Sequence, residues 1–353
     1  RREVVEIMRD FLNLRITPFV PCKGSVGASG DLAPLSHIAL NLMGEGRVFY
    51  DGRLAPAVEI LDHLGVTPLI PQAKEGLCLI NGTQVMTAIG LLACAEVSNL
   101  IKSSDIVAAV SLNAFKGTAT AFRKEIQLVR PHKGQLDSSQ NVLNLLTQDE
   151  ILTSHKDCDK VQDPYSFRCV PQVHGAVRNA FDHVFSTLLI EANSSTDNPL
   201  VFSETNEILS GGNFHGQIVA TVLDYLAIAV SEIASISERR IEKLVNPHMS
   251  GLPAFLSQFS GLNSGYMIPH VVSAALVNEN KVLSTPASVD SIPTSAEKED
   301  HVSMGMTSAL KLVKIVKNVS YVLGIELMAA VEGVEFHLPL KGGMGIRAAE
   351  SWL

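Results

Sequence analysis

The run Gly27-Ala28-Ser29-Gly30 carries the most specific chemistry in this chain. Its two glycines let the backbone enter compressed, left-handed conformations that residues with a Cβ resist. Ala28 adds little bulk, and Ser29 brings a hydroxyl that can depart as water. Two familiar uses of such a loop fail. No Gly-Lys-Ser/Thr follows, so it is not a phosphate-cradling P-loop, and it lacks the glycine spacing of a nucleophile elbow. The plain alternative is a flexible Gly/Ser loop.

The elements that must position this run read as mostly helical. Residues 1 to about 71 are rich in glycine and proline and short in elements. Gly46 to Arg53 predicts a small β-hairpin turning at Asp51-Gly52. Helical periodicity predicts helices over Thr83–Lys102, Ser139–Leu146, His174–Ala192, His215–Val245, Met267–Leu283 and Glu299–Val331. A polar connector covers 147–173, and 193–213 reads as loop. On the helix from His215, Ile218, Val222, Tyr225, Ala229, Ile233, Ile236 and Arg240 form a stripe at helical spacing. The expected fold is all-α: a bundle of long helices (81–353) carrying a loop-rich N-terminal module (1–80).

Composition narrows the function classes. Of 353 residues, 46% are hydrophobic and 18% charged, which favours a large buried core. A net charge of −8 without a basic cluster argues against nucleic acid. Cys22, Cys78, Cys94, Cys158 and Cys169 are odd in number and form no CxxC pair, as expected of reduced thiols in a cytoplasmic protein without a metal site. The longest strongly apolar run, Val85 to Ala95, is too short to span a bilayer, so no membrane is expected. Helices apolar on most faces call for burial between subunits. Both ends look cut, as if the chain were a piece of a longer protein.

Six ordered blocks give the chain a family resemblance over nearly its whole length. They are Gly24 to His37; Glu75-Gly76-Leu77 with Asn81-Gly82-Thr83-Gln84; Val161 to Cys169; Asp197-Asn198-Pro199-Leu200; Gly211 to Gly216; and Ser288 to Met304. Together they resemble the aromatic amino-acid ammonia-lyases. In that family an Ala-Ser-Gly turn cyclises into an electrophilic methylidene-imidazolone (MIO), which here implies Ala28, Ser29 and Gly30 and no external cofactor. The resemblance also implies a homotetramer whose active sites are built from several subunits, acting on a small amino-acid substrate.

The resemblance assigns the remaining roles. Arg168 would hold the substrate carboxylate, Gln162 would anchor that loop or the substrate, and Tyr165 would hydrogen-bond near the electrophile or tune a proton transfer. Asn81 would stabilise charge developing on the ring, although Asn-Gly also suits a turn or a helix cap. Phe214 would pack beside the electrophile, and Met267 would form a pocket wall or plain core. Glu299 stands where histidine-acting members carry glutamate and phenylalanine-acting members glutamine, so it would recognise imidazole. The implied reaction is elimination of ammonia from L-histidine to give trans-urocanate.

Rival readings remain. One is a tyrosine or phenylalanine lyase or aminomutase of the same fold. Another is a catalytically inactive fragment, because the family's tyrosine base and a substrate-contacting histidine lie upstream of the turn, outside this chain. The aspartase/fumarase group is disfavoured by the lack of a Gly-Ser-Ser-x-Met-Pro signature.

Overall fold

The computed structural model describes residues 1–158 and 160–351. Helices dominate in the all-α pattern expected, and the chain divides into two compact units, each of three interleaved segments. Unit 1 comprises Arg1–Gly90, Thr187–Leu223 and Pro286–Leu310; unit 2 comprises Leu91–Ser186, Asp224–Thr285 and Lys311–Leu353. Four of the five boundaries between these segments fall inside long helices, and the fifth lies at Thr285–Pro286.

The helices, in order, are α1 (Arg2–Asn13), α2 (Leu32–Leu42), α3 (Ala57–Leu64), α4 (Glu75–Ile80), α5 (Gln84–Ala114), α6 (Lys124–Leu128), α7 (Lys133–Leu145), α8 (Glu150–Ser154) and α9 (Tyr165–Arg168). They continue with α10 (Val170–Ala192), α11 (Gln217–Val245), α12 (Pro247–Ser250), α13 (Met267–Leu283), α14 (Gly305–Glu335) and α15 (Met344–Glu350).

In unit 1, the hairpin of β2 (Arg47–Tyr50) and β3 (Arg53–Pro56) turns at Asp51-Gly52, as expected, with φ of 47° and 73°. Both residues are left-handed, as a two-residue turn matched to strand twist requires. β1 (Thr17–Pro18) adds a third antiparallel strand. The sheet and α1 to α3 close over a core of Ile7, Phe11, Leu42, Val48, Ala57 and Leu61. A second hairpin, β4 (Leu200–Phe202) with β5 (Glu207–Leu209), lies where the sequence reads as loop. Its side chains are nearly all exposed, so it has no alternating apolar face to betray it.

Unit 2 is built on the long helices. α11 buries Leu226, Val230, Ile233, Ser237, Arg240 and Leu244, whereas Tyr225 of the expected stripe is exposed. Val222, Ile233, Ile236 and Arg240 of that stripe are buried, and the departure lies at its N-terminal end, where Ile218 is exposed as well. α5 and α11 are long and apolar enough to cross a membrane by length and composition alone, and 44% and 56% of their most apolar windows are buried within the chain. The Val85–Ala95 run lies within α5, whose 31 residues extend beyond the expected Thr83–Lys102.

Candidate active site

Unit 1 gathers six of the ten sequence-predicted site residues: Ala28, Ser29, Gly30, Asn81, Phe214 and Glu299. The turn they surround is compressed. Gly27, Ser29 and Gly30 have φ of 76°, 48° and 78°, and Ser29 pays for that conformation with a Cβ in the left-handed region. Gly30 bridges Gly82 in parallel, and the N–H of Asp31 donates to the Gly82 carbonyl at 2.7 Å. A Cβ on Gly30 would collide with that carbonyl, and a Cβ on Gly27 would collide with Ser303 Oγ. Glycine at both positions therefore has a packing reason as well as a conformational one.

Glu299 reaches the same turn. Ser29 Oγ donates to Glu299 Oε1 at 2.5 Å, while Ser295 Oγ and Thr294 Oγ1 donate to Oε2 at 2.6 and 3.0 Å. These hydroxyls, Ser29 first, hold the Glu299 carboxyl below its usual pKa, so it is a carboxylate at neutral pH. The loop presenting it is itself strained: Ser295, Ala296 and Glu297 are consecutive left-handed residues, with φ of 50°, 54° and 68°. Backbone hydrogen bonds between Thr294 and Glu299 close that turn. Met304 is left-handed too, and its N–H donates to the Val26 carbonyl at 2.9 Å. α14 consequently begins at Gly305 rather than at Glu299, as periodicity suggested.

Three long helices start beside this turn. A Cβ on Gly216, just before α11, or on Gly305, the first residue of α14, would run into Met86 in the first turn of α5. Such close approach requires glycine at both places. Aligned peptide dipoles leave partial positive charge at each N-terminus, so the turn lies in a field that favours anionic oxygens. Phe214, half-buried, precedes the start of α11, and His215 Nε2 lies 3.0 Å from the His301 carbonyl oxygen.

Asn81 is buried and caps the C-terminal end of α4. Its Nδ2 donates to the Asn198 carbonyl at 3.0 Å and to Asp197 Oδ1 at 3.2 Å. Asp197 also pairs with Lys74 and accepts from Cys78 Sγ. Asn81 thus holds a turn and ends α4, where the sequence suggests a turn or a cap for the helix that follows.

Asp31 was missed as a functional candidate, although it directly follows Gly30. It is fully buried, its Oδ2 accepts the Met86 N–H at 2.8 Å, and its Oδ1 has no hydrogen-bond partner. Burial raises its pKa to about 6. The folded carboxyl thus holds its proton more tightly than the unfolded one. Its contribution to stability is full below about pH 4 and falls by about 3 kcal/mol as pH rises through 6. Asp31→Asn is therefore expected to unfold at a higher temperature than the parent at pH 8, with the gap nearly closed at pH 4. A gap independent of pH would remove the ionised, buried carboxylate from the account.

Unit 2 holds Gln162, Tyr165, Arg168 and Met267. The polar connector expected over 147–173 folds into the short helices α8 and α9 before α10 begins. α9 is a single turn, with the Phe167 ring stacked on Phe115 at 4.4 Å. The Arg168 guanidinium lies over the exposed Tyr165 ring, 4.5 Å from its centroid, and its buried Nε has no partner. Gln162 is exposed, and with Arg168 it lines an open cavity of about 970 Å³ whose wall also includes Lys116, His155 and Lys160. Met267 is half-buried as the first residue of α13. Among the described residues no cluster of His, Cys, Asp and Glu could hold a metal ion.

These motifs have counterparts in known proteins. The family described as aromatic amino acid lyase matches residues 1–352. A histidine ammonia-lyase of Alkaliphilus oremlandii is 52% identical over 349 residues, covering 99% of this chain and 69% of that protein. The crystal structure of histidine ammonia-lyase from Trypanosoma cruzi superposes with a TM-score of 0.92 at 44% identity, over 100% of this chain and 66% of that one. Tyrosine aminomutase from Streptomyces globisporus gives 0.92 at 36% identity, over 99% and 69%. The chain thus spans about two thirds of the length of these relatives.

Proposed function

The chain belongs to the aromatic amino acid lyase family, and from that premise we propose that it serves the elimination of ammonia from L-histidine to give trans-urocanate, through an electrophile built from its own Ala28, Ser29 and Gly30. The observation that carries the histidine assignment is the carboxylate of Glu299 set against Ser29 Oγ. The relatives named histidine ammonia-lyase support the same carbon–nitrogen lyase chemistry.

The residues present fit such a group. Ring closure would bring the Gly30 nitrogen onto the Ala28 carbonyl carbon, across a turn in which Ser29 and Gly30 are both left-handed. One water would leave from the Ala28 carbonyl oxygen and a second from the Ser29 hydroxyl. The MIO would supply an electrophilic methylidene to the substrate's amine or ring.

Loss of the Ser29 hydroxyl has a second effect. It frees an acceptor site on Glu299 Oε1 beside the reacting turn, and an imidazole N–H can take the hydroxyl's place. Ser295 and Thr294 still hold Oε2, so the carboxylate keeps its aim. A phenyl ring offers Oε1 no donor, and covering that oxygen without supplying one is costly. Arg168 holds the substrate carboxylate through a bidentate fork, with Gln162 and Tyr165 on the same segment. Asn81 holds the Asp197-Asn198 turn and can exchange its longer bond, to Asp197, for an oxygen carrying negative charge at the electrophile. Phe214 and Met267 form apolar walls.

The same reading makes the working unit a cytoplasmic homotetramer with shared sites. Exposed Tyr225, Ile228, Val271, Val313, Tyr321 and Met328 on the long helices of unit 2 support subunit packing.

The test is an assay of the full-length protein on L-histidine, L-tyrosine and L-phenylalanine, following ammonia and the ultraviolet absorbance of each unsaturated acid. Urocanate as the main product is expected. A cinnamate-type acid or a β-amino acid as the main product would transfer the chain to the other branches. No product from any of the three would overturn the proposal.

A further inference from the structure

We propose that the buried ion pair of Arg240 and Glu326 is a positioning device for the turn that bears Tyr165 and Arg168. It rests on the reading of Arg168 as the carboxylate holder.

The pair joins two long helices of unit 2. Arg240 of α11 and Glu326 of α14 are both fully buried. Arg240 Nε donates to Glu326 Oε1 at 2.5 Å and Nη2 donates to Oε2 at 2.8 Å, a bidentate fork. Ser111 Oγ of α5 donates to Oε1 at 2.6 Å. The third branch of the guanidinium, Nη1, donates to the Ser166 carbonyl at 3.2 Å. Ser166 lies inside α9, between Tyr165 and Arg168.

α9 is a single turn of four residues that joins α10 through Cys169, with backbone bonds from Cys169 N–H to the Tyr165 carbonyl and from Val173 N–H to the Cys169 carbonyl. Two contacts tie its flank to the other long helices: Phe167 stacked on Phe115, and the Ser166 carbonyl on Arg240. The first is apolar and tolerates sliding. The second is directional and is itself anchored by two more bonds in a dry core. Tyr165 and Arg168 contact each other through the ring and the guanidinium, so tilting the turn tilts both.

Stability alone does not account for the choice of residues. Replacing a buried ion pair with apolar groups of similar volume is often neutral or stabilising. An apolar pair at 240 and 326 would fill the space but leave the Ser166 carbonyl without its donor. Lysine at 240 would keep the charge without the planar fork that serves Glu326 and Ser166 together.

The experiment compares Arg240→Lys, the paired change Arg240→Met with Glu326→Leu, and Arg168→Lys, all in the full-length protein. Thermal midpoints, KM and kcat for L-histidine, and inhibition by urocanate and by histamine, which lacks a carboxylate, are measured. For Arg240→Lys, KM and the urocanate inhibition constant are expected to rise between about tenfold and a hundredfold, the scale set by a misplaced binding group. Histamine inhibition should stay within about twofold, since it does not engage the carboxylate holder. The paired apolar variant should recover the parent's thermal midpoint and retain the carboxylate-specific defect, which a purely structural role would not produce. If it folds with unchanged KM and unchanged discrimination between urocanate and histamine, the proposal is overturned. Equal weakening of urocanate and histamine in both Arg240 variants overturns it too. If Arg168→Lys leaves urocanate affinity intact, the carboxylate reading of Arg168 fails, and the positioning proposal built on it falls with it. Loss in Arg168→Lys without loss in the Arg240 variants overturns the positioning role alone.

Discussion

Ser29→Ala in the full-length protein is expected to fold and to lose histidine turnover by on the order of 10³-fold or more, the scale on which loss of a covalent catalytic group is felt. The fold should survive because the substitution removes one hydroxyl. Alanine has no larger steric conflict than serine at φ 48°, and the surrounding backbone ties of Gly30 and Asp31 to Gly82 do not use the side chain. The hydrogen bond from Ser29 to Glu299 belongs to the uncyclised turn, where its loss costs about 1.5–3 kcal/mol at most, as for other bonds to charged groups. The chemistry should not survive, because no leaving group remains to create the exocyclic double bond. Intact mass provides an independent reading. The parent should be lighter than its sequence by two waters, and the variant should not show that deficit. A parent of unmodified mass, or a variant with parental rate, would remove Ala28, Ser29 and Gly30 from the catalytic account.

The turn was legible in the sequence because its chemistry is local. Three small residues in a row, with glycine at both ends of the compressed stretch, state their conformation without help from the rest of the chain. The long helices were legible for a related reason: periodicity reports a face, and α13 starts and ends where the pattern does. The misplacements have physical causes. α5 runs on to Ala114, past the polar Ser103-Ser104-Asp105 step, because Ser104 and Asp105 find partners inside unit 2. Asp105 accepts from Ser138 and Asn141 and contacts Arg178 and His174. α14 starts late because Ser295, Ala296, Glu297 and Met304 are left-handed and 294–299 closes on itself as a turn. Periodicity puts Arg240 on the helix stripe but names no partner for it: Glu326, 86 positions on, and the Ser166 carbonyl are met only in the fold. Asp31 was hidden for a similar reason: nothing in its neighbours tells that Met86, 55 positions on, supplies the donor.

Glu299→Gln is expected to lower kcat/KM for L-histidine by roughly 10- to 150-fold while leaving kcat/KM for L-phenylalanine unchanged or raised. The first figure corresponds to losing one hydrogen bond to a charged group, about 1.5–3 kcal/mol. The argument turns on acceptors. Glu299 receives three hydroxyls, from Ser29, Ser295 and Thr294, and their donation keeps it ionised at the pH where imidazole also titrates. When the Ser29 hydroxyl is gone, a glutamate offers the incoming ring a negative oxygen already aimed by two remaining donors. A glutamine keeps the shape but has one neutral acceptor, and its amide must donate where the carboxylate accepted, so Ser295 and Thr294 have to rotate. Histidine loses its charged partner, whereas phenylalanine is relieved of a desolvated carboxylate facing its ring. The ratio of the two specificity constants should therefore fall by more than either constant alone requires. Equal losses for both substrates would mean that Glu299 supports the turn and does not read the ring. An unchanged histidine rate would mean that imidazole recognition lies elsewhere, even with Ser29 and Glu299 in contact before the hydroxyl departs.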